Sequence, residues 1–303
     1  VTWLSNEALD RLRDVATRPE LPPDRYVLGE PLGRGGMGAV YSARDTVLDR
    51  DVAIKVSNAV VPDTTLDERL RAEARVLARL EHPGIVPVHD AGRLEDGRLF
   101  YVMKLVRGQT LAAARSSLTA ARLRDVFERI VDAVAFAHAA GIWHGDLQPA
   151  NVMIGTYGEV LVLDWGAAAI AGVAGQRIGT PGFMAPEQER GDTAALGTAA
   201  DVYALGALFT WMVDGRLAGR RGPKRLRAIV AKCLASDPAA RYPHAGALAD
   251  DLARERDGLA VTAWRETPWD RLLRWGARYR TFILLVLAYL VMRTLFAFLQ
   301  RSN

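Results

Sequence analysis

The octapeptide "HGDLQPAN", His144 to Asn151, places a carboxylate, Asp146, five residues before a carboxamide, Asn151, and a histidine two residues before that carboxylate. Asp146 can accept a proton from a hydroxyl. Asn151 carries an oxygen suited to a hard divalent cation such as Mg²⁺, and Asp164, in "VLVLDWG", carries another. Upstream, Gly33, Gly35 and Gly38 in "GRGGMG" make G-x-G-x-x-G. Alone this pattern fits a flexible turn, a dinucleotide fingerprint or a hairpin folded over phosphates. The dinucleotide reading needs a helix directly after the glycines, and here the strand-like "AVYSARD" follows. Lys55, in "VAIK", comes 17 residues after Gly38, in a chain with four lysines against 35 arginines. A compact ammonium and a planar guanidinium are not interchangeable, so a lysine kept against that bias carries information. The alternative is an ordinary strand lysine. Glu73, on the next helical segment, is available to pair with it.

These groups need elements to hold them. From Tyr26 to about Val106 the pattern is mostly strand, with one helical stretch, "LDERLRAEARVLARL", whose Leu66, Leu70, Val76, Leu77 and Leu80 recur at helical spacing. From about Leu111 the chain turns helical, with "LRDVFERIVDAVAFAHAAG" and "DVYALGALFTWMV" as the clearest runs. A β-rich lobe followed by an α-rich lobe is an α+β arrangement, and the cleft between such lobes is the natural ligand site. The chain has 303 residues, 50% of them hydrophobic, enough for one two-lobed domain. One cysteine, Cys233, excludes an intrachain disulfide and reads as a buried small hydrophobe.

Net charge is +4, and the arginine-rich, acid-free "RLLRWGARYR" (271–280) concentrates the excess. An apolar run, "FILLVLAYLVMRTLFAFL" (282–299), follows at once. That position argues against nucleic acid and for a basic flank beside a single membrane span, with a buried core helix as the alternative, although 18 helical residues reach only about 27 Å against a ~30 Å hydrocarbon core. Arg293 sits toward the far end, where it can snorkel outward. The positive-inside rule then puts the N-terminal bulk in the cytoplasm. No signal peptide and no sensor domain beyond the span are expected.

In order, "GRGGMGAVY", "VAIK", a helical Glu, "HGDLQPAN", "DWG", "APE" (185–187) and the late Arg241 resemble the protein kinases, in particular the bacterial Ser/Thr kinases of eukaryotic (Hanks) type in their membrane-anchored branch. The resemblance covers about 24–257. It implies a bilobal fold, a β-rich N-lobe and a helical C-lobe, that transfers the ATP γ-phosphoryl group to protein hydroxyls with Mg²⁺, or Mn²⁺ in its place. It implies that Gly33, Gly35 and Gly38 cover the ATP phosphates. Lys55 holds the α- and β-phosphates, oriented by Glu73; Asp146 positions the substrate hydroxyl; Asn151 and Asp164 hold the metal. Leu32, Val40, Ala53 and Met153 are implied to sandwich the adenine, with Met103 at the gatekeeper position and the backbones of Lys104 and Val106 at the adenine edge. Glu187 and Arg241 are implied to form a buried ion pair, Asp201 to anchor the catalytic loop, His144 to brace the metal-site loop and Trp165 to pack in the hydrophobic spine.

The expected division is a helix and Pro-rich linker over 1–23, an N-lobe over 24–106, a C-lobe over 107–257, a basic juxtamembrane segment over 258–281 and a transmembrane helix over 282–299. Protein substrates and membrane lipid are the expected partners, and dimerisation stays open.

Three departures qualify the resemblance. Gly145 stands where most kinases carry an Arg that pairs with a phosphorylated activation-loop residue. The only hydroxyl residue between Asp164 and Glu187 is Thr180, which reads as a structural contact to Asp146. Both features predict an enzyme not switched by activation-loop phosphorylation. Gln148 replaces a Lys expected at the γ-phosphate, which predicts a transfer slower by ~10²-fold, the scale of one lost transition-state contact. Between "FTWMVDG" and "PKRLRAIVAKCL" only "RLAGRRG" remains, where the family usually places a further helix. These departures keep a second reading alive, a nucleotide-binding pseudokinase acting as scaffold or switch.

Overall fold

The computed structural model describes residues 19–21, 24–35, 38–58, 64–166, 179–192, 195–213, 224–265 and 279–301, with the side chains of 64–66, 280–281 and 294–301 excepted. The N-terminal helix expected over 2–17, the activation-loop stretch 167–178, the shortened stretch 214–223 and most of the basic segment lie outside these residues.

Five antiparallel strands form the N-lobe: β1 (Tyr26–Arg34), β2 (Gly38–Asp45), β3 (Arg50–Ser57), β4 (Val88–Arg93) and β5 (Leu99–Lys104), in the order β1-β2-β3-β5-β4. The two-residue period of a strand sorts the side chains of β3 and β5 to opposite faces. Val52, Ile54, Val56, Phe100 and Val102 pack with Tyr26 and Tyr41 in one cluster. Leu99 and Tyr101 point the other way and join Leu70, Ala74 and Leu77 of helix α1 (Thr64–Ala78) in the main core. The register sets Lys55 opposite Tyr101. At Gly38 a Cβ would stand 2.4 Å from the Val56 carbonyl oxygen, so β2 can leave the glycine turn this close to β3 only without a side chain.

The C-lobe contains a small sheet, β6 (Gly108–Thr110), β7 (Val152–Gly155) and β8 (Val160–Val162), and the helices α2 (Leu111–Ala114), α3 (Ala120–Ala139), α4 (Pro186–Arg190), α5 (Thr198–Met212), α6 (Lys224–Cys233) and α7 (Ala245–Arg256). Helix α3 starts where Thr119 accepts the Arg122 N–H, and its Val126, Ile130, Val134 and Ala137 make the buried stripe. Helix α5 has no polar stripe, and most of its residues are buried, which places it at the centre of the lobe. The lobes meet where the Val162 N–H donates to the Gly84 carbonyl at 2.8 Å.

The expected ion pair is present. Arg241 donates from Nη1 and Nη2 to Glu187 at 2.6 and 2.8 Å, with both side chains fully buried. Three carbonyls, those of Ala235, Ala199 and Ser236, take its remaining donors. Cys233 is buried, and burial pushes its thiol up to about 12.

The membrane span expected at 282–299 is not shown: among the described residues no helix is long and apolar enough to cross a membrane. Helix α8 (Arg280–Arg301) has 22 residues, about 33 Å of helix. Its large apolar side chains, from Phe282 to Met292, are mostly exposed.

Candidate active site

Strand β3 delivers Lys55 and helix α1 delivers Glu73. Lys55 Nζ lies 2.7 and 2.8 Å from the two Glu73 carboxylate oxygens and 3.3 Å from Asp164 Oδ1. Burial alone would lower the Lys55 pKa; the charges of Glu73 and Asp164 outweigh it and raise the value, so the ammonium is held. Burial also raises the Asp164 carboxyl, but the Lys55 charge wins and brings it below its ordinary value. Asp164 keeps 43% of its side chain exposed. Its φ of +59° lies in the left-handed region, which Asp tolerates better than most residues.

A second cluster surrounds Asp146. Its Oδ1 accepts the Thr180 hydroxyl at 2.7 Å, and its Oδ2 accepts the Gln148 amide at 3.1 Å. Asn151 Nδ2 donates to the Asp146 carbonyl at 2.9 Å, with Oδ2 further away at 3.4 Å. With its amide nitrogen engaged there, the oxygen of Asn151 is the atom left for a cation.

His144 is fully buried and links the two clusters. Its Nδ1 accepts the Asp146 N–H at 3.2 Å, and its Nε2 lies 2.8 Å from the carbonyl of Leu163, the residue before Asp164. One nitrogen accepts and the other must donate, the pattern of a neutral imidazole protonated at Nε2. Behind the loop, Asp201 of α5 accepts the N–H groups of His144 and Gly145 at 2.6 and 2.8 Å. His138 of α3 stands 2.9 Å from the same carboxylate. Trp165 is fully buried, and its ring centre lies 4.7 Å from that of His144.

A cleft of about 620 Å³ opens between the lobes. Leu32, Gly33, Gly35, Gly38 and Val40 line it from β1 and β2, and Ala53, Lys55 and Glu73 from β3 and α1. Met103, Lys104 and Val106 line the connection between the lobes, and Asn151, Met153 and Asp164 the C-lobe side. Asp146 and Gln148 are not among the lining residues; they reach the cleft through Asn151. The expected residues thus fall into one continuous site.

Two contributors were not anticipated. Tyr101, buried, donates its hydroxyl to Glu73 at 3.0 Å. Burial, then the neighbouring Glu73 charge, holds that phenol well above its ordinary value. Its signal was available, since it stands two residues before Met103 and shares that face of β5. Gln188 Nε2 donates to the Gly145 carbonyl at 2.8 Å, a contact that no sequence spacing announces.

A two-lobed fold with a charged cation–carboxylate pair at the back of its cleft is the architecture of the protein kinase class. The protein kinase domain family matches residues 26–232, and the chain belongs to that family. It is similar to the serine/threonine-protein kinase PknA of Mycobacterium tuberculosis, with 35% identity over 278 residues, covering 80% of this chain and 64% of PknA. PknB, a serine/threonine-protein kinase of the same organism, is 36% identical over 280 residues, covering 80% of this chain and 44% of PknB. The chain therefore spans less than two thirds of the length of either relative. The crystal structure of the Mycobacterium tuberculosis PknI kinase domain superposes with a TM-score of 0.61 at 27% identity, over 77% of this chain and 96% of that one.

Proposed function

We propose that this chain is a bacterial Ser/Thr protein kinase that transfers the γ-phosphoryl group of ATP to protein hydroxyls. The observation that carries this reading is the Lys55 ammonium, held by Glu73 and Asp164 at the back of the interlobe cleft. The site fits the cofactors. Asp164 offers an ionised, partly exposed carboxylate and Asn151 an uncommitted oxygen, a donor set that suits Mg²⁺ or Mn²⁺. The bound metal would supply neutralisation of phosphate charge.

The chain's own groups do the rest. Lys55 would pair with the α- and β-phosphates, and Glu73, with Tyr101 behind it, fixes its direction. The glycines of the β1–β2 turn would close over the phosphates with backbone N–H groups. Leu32, Val40, Ala53 and Met153 would enclose the adenine. Its edge would face the backbone of Lys104 and of Val106, whose N–H has no partner among the described residues. Asp146, oriented by Thr180, would align the substrate hydroxyl and take its proton. Phosphoryl transfer depends on such positioning and charge stabilisation more than on covalent chemistry.

Two finer features belong to the same proposal. The enzyme is not controlled by phosphorylation of its activation loop: Gly145 offers no cation, and the Thr180 hydroxyl is engaged with Asp146. The kinase is attached to the bacterial cytoplasmic membrane through 282–299, supported by that apolar run, its basic flank and the exposed side chains of α8.

The test is transfer of radiolabelled γ-phosphate from Mg-ATP to a generic protein acceptor by the full chain in detergent. Incorporation is expected, and Asp146→Asn should reduce it to background. Gln148→Lys should raise the rate, by up to about 10²-fold. ATP binding without transfer would instead support the pseudokinase reading, which the Gln148–Asp146 contact favours.

A further inference from the structure

Three separate pieces of chain meet at one peptide bond. That bond joins Gly145 to Asp146. Its N–H donates to His144 Nδ1 at 3.2 Å, and its carbonyl accepts from Gln188 Nε2 at 2.8 Å. The peptide plane is therefore held at both ends, and with it the direction in which the Asp146 side chain leaves the backbone. The other end of the Gln188 amide is engaged too, because Oε1 accepts the Ala185 N–H at 3.0 Å. Gln188 is buried at 3% exposure. Gly179 closes the node from the third side. It has a φ of +121°, and a Cβ there would come 3.3 Å from the Gly145 carbonyl oxygen and 3.4 Å from Gln188 Nε2. One residue later Thr180 bonds the Asp146 carboxylate. The end of the activation segment and the catalytic loop are thus joined by hydrogen bonds, of which the Gln188–Gly145 arm is buried and uncharged.

We infer that Gln188 is a positioning residue for phosphoryl transfer, which orients Asp146 by fixing the Gly145 carbonyl against the start of α4. The inference rests on the kinase reading above. Its physical basis is the geometry of an amide, which donates to one backbone group while accepting from another. A charged side chain could not do both. An arginine contact to a phosphate exists only after modification, whereas this connection is present in the unmodified chain. Loss of the donor would leave a buried carbonyl without its partner and free the peptide plane to rotate. A carboxylate displaced by about 1 Å can cost on the order of 10²-fold in rate.

The experiment compares Gln188→Glu and Gln188→Met with the wild-type full chain, in steady-state kinetics from about pH 5.5 to 8.5, a range chosen because burial raises a carboxyl's pKa. A protonated glutamic acid is the neutral isostere of glutamine and can donate to the Gly145 carbonyl; its carboxylate cannot. The expected result for Gln188→Glu is a kcat, relative to wild type at each pH, that nears unity at the acid end. It should fall roughly tenfold or more as the pH rises, with the KM for ATP unchanged. Gln188→Met, similar in length but without hydrogen-bonding groups, should show a low ratio that does not vary with pH. Circular dichroism confirms folding at each point. A flat ratio for folded Gln188→Glu, or a wild-type kcat in folded Gln188→Met even with a lowered melting temperature, would overturn the inference. If the glutamate variant does not fold, the methionine variant alone decides. An inactive wild-type chain would instead refute the proposed function, so the two failures are distinguishable.

Discussion

At Gly145 the backbone takes a φ of +82°, a region where a Cβ meets the following carbonyl and costs roughly 1–2 kcal/mol. An arginine restored here would therefore carry its charge on a strained backbone, with no phosphorylated residue at Thr180 to meet it. We expect Gly145→Arg to lower the melting temperature by several degrees and leave transfer insensitive to phosphatase treatment; a phosphatase-dependent variant would contradict this. The residues that were legible in the sequence explain why others were not. Lys55, Asp146, Asn151 and Asp164 each carry a charge or oxygen that stands out in its own segment, and their order along the chain, with Glu73 on the helix after Lys55, is itself a signal. Tyr101 and Gln188 act on neighbours 28 and 43 positions away, Glu73 and Gly145, and that information exists only once the segments have folded together.

The elements follow the same division. Helices α1, α3 and α5 were readable because their apolar spacing or uniform burial is local. The register shifts in β1 between Leu28, Pro31 and Gly33 were not, since a bulge depends on the partner strand. Nor was the anchor at the end of the C-lobe. Asp251 of α7 accepts from Tyr242 Oη, Thr262 N, Thr262 Oγ1 and Ala263 N at 2.7–3.0 Å, which ties the chain after α7 back onto the lobe. Burial works to raise its pKa, but these hydrogen bonds outweigh burial and lower it. A depressed carboxyl stabilises fully above its unfolded value, about 3.9, and loses that contribution as the pH falls through the lower folded value. Urea unfolding between about pH 3 and 7 should therefore show the wild type losing stability on acidification more steeply than Asp251→Asn. Parallel curves would show that the carboxylate contributes nothing specific.

For the molecule as a whole, α8 presents a continuous run of apolar side chains to its surroundings along the described part of its length, while the kinase lobes bury most of theirs and expose the rest singly or in pairs. A surface of that kind needs cover, and the arginine-rich flank before it suits a bilayer. The full chain should float with phosphatidylcholine vesicles in a density gradient. The double substitution Leu284→Asp and Leu287→Asp, at roughly 3 kcal/mol each in a membrane interior, should leave it in the soluble fractions. Flotation that survives both changes would argue against lipid as the cover. The lobes carry a different lesson in Asp201. One buried carboxylate holds two amide hydrogens of the catalytic loop and faces a histidine from another helix, so that loop belongs to the same cooperative unit as the core. Its amides should exchange with solvent only when the whole lobe opens. Local melting of this segment would then require opening of the lobe itself.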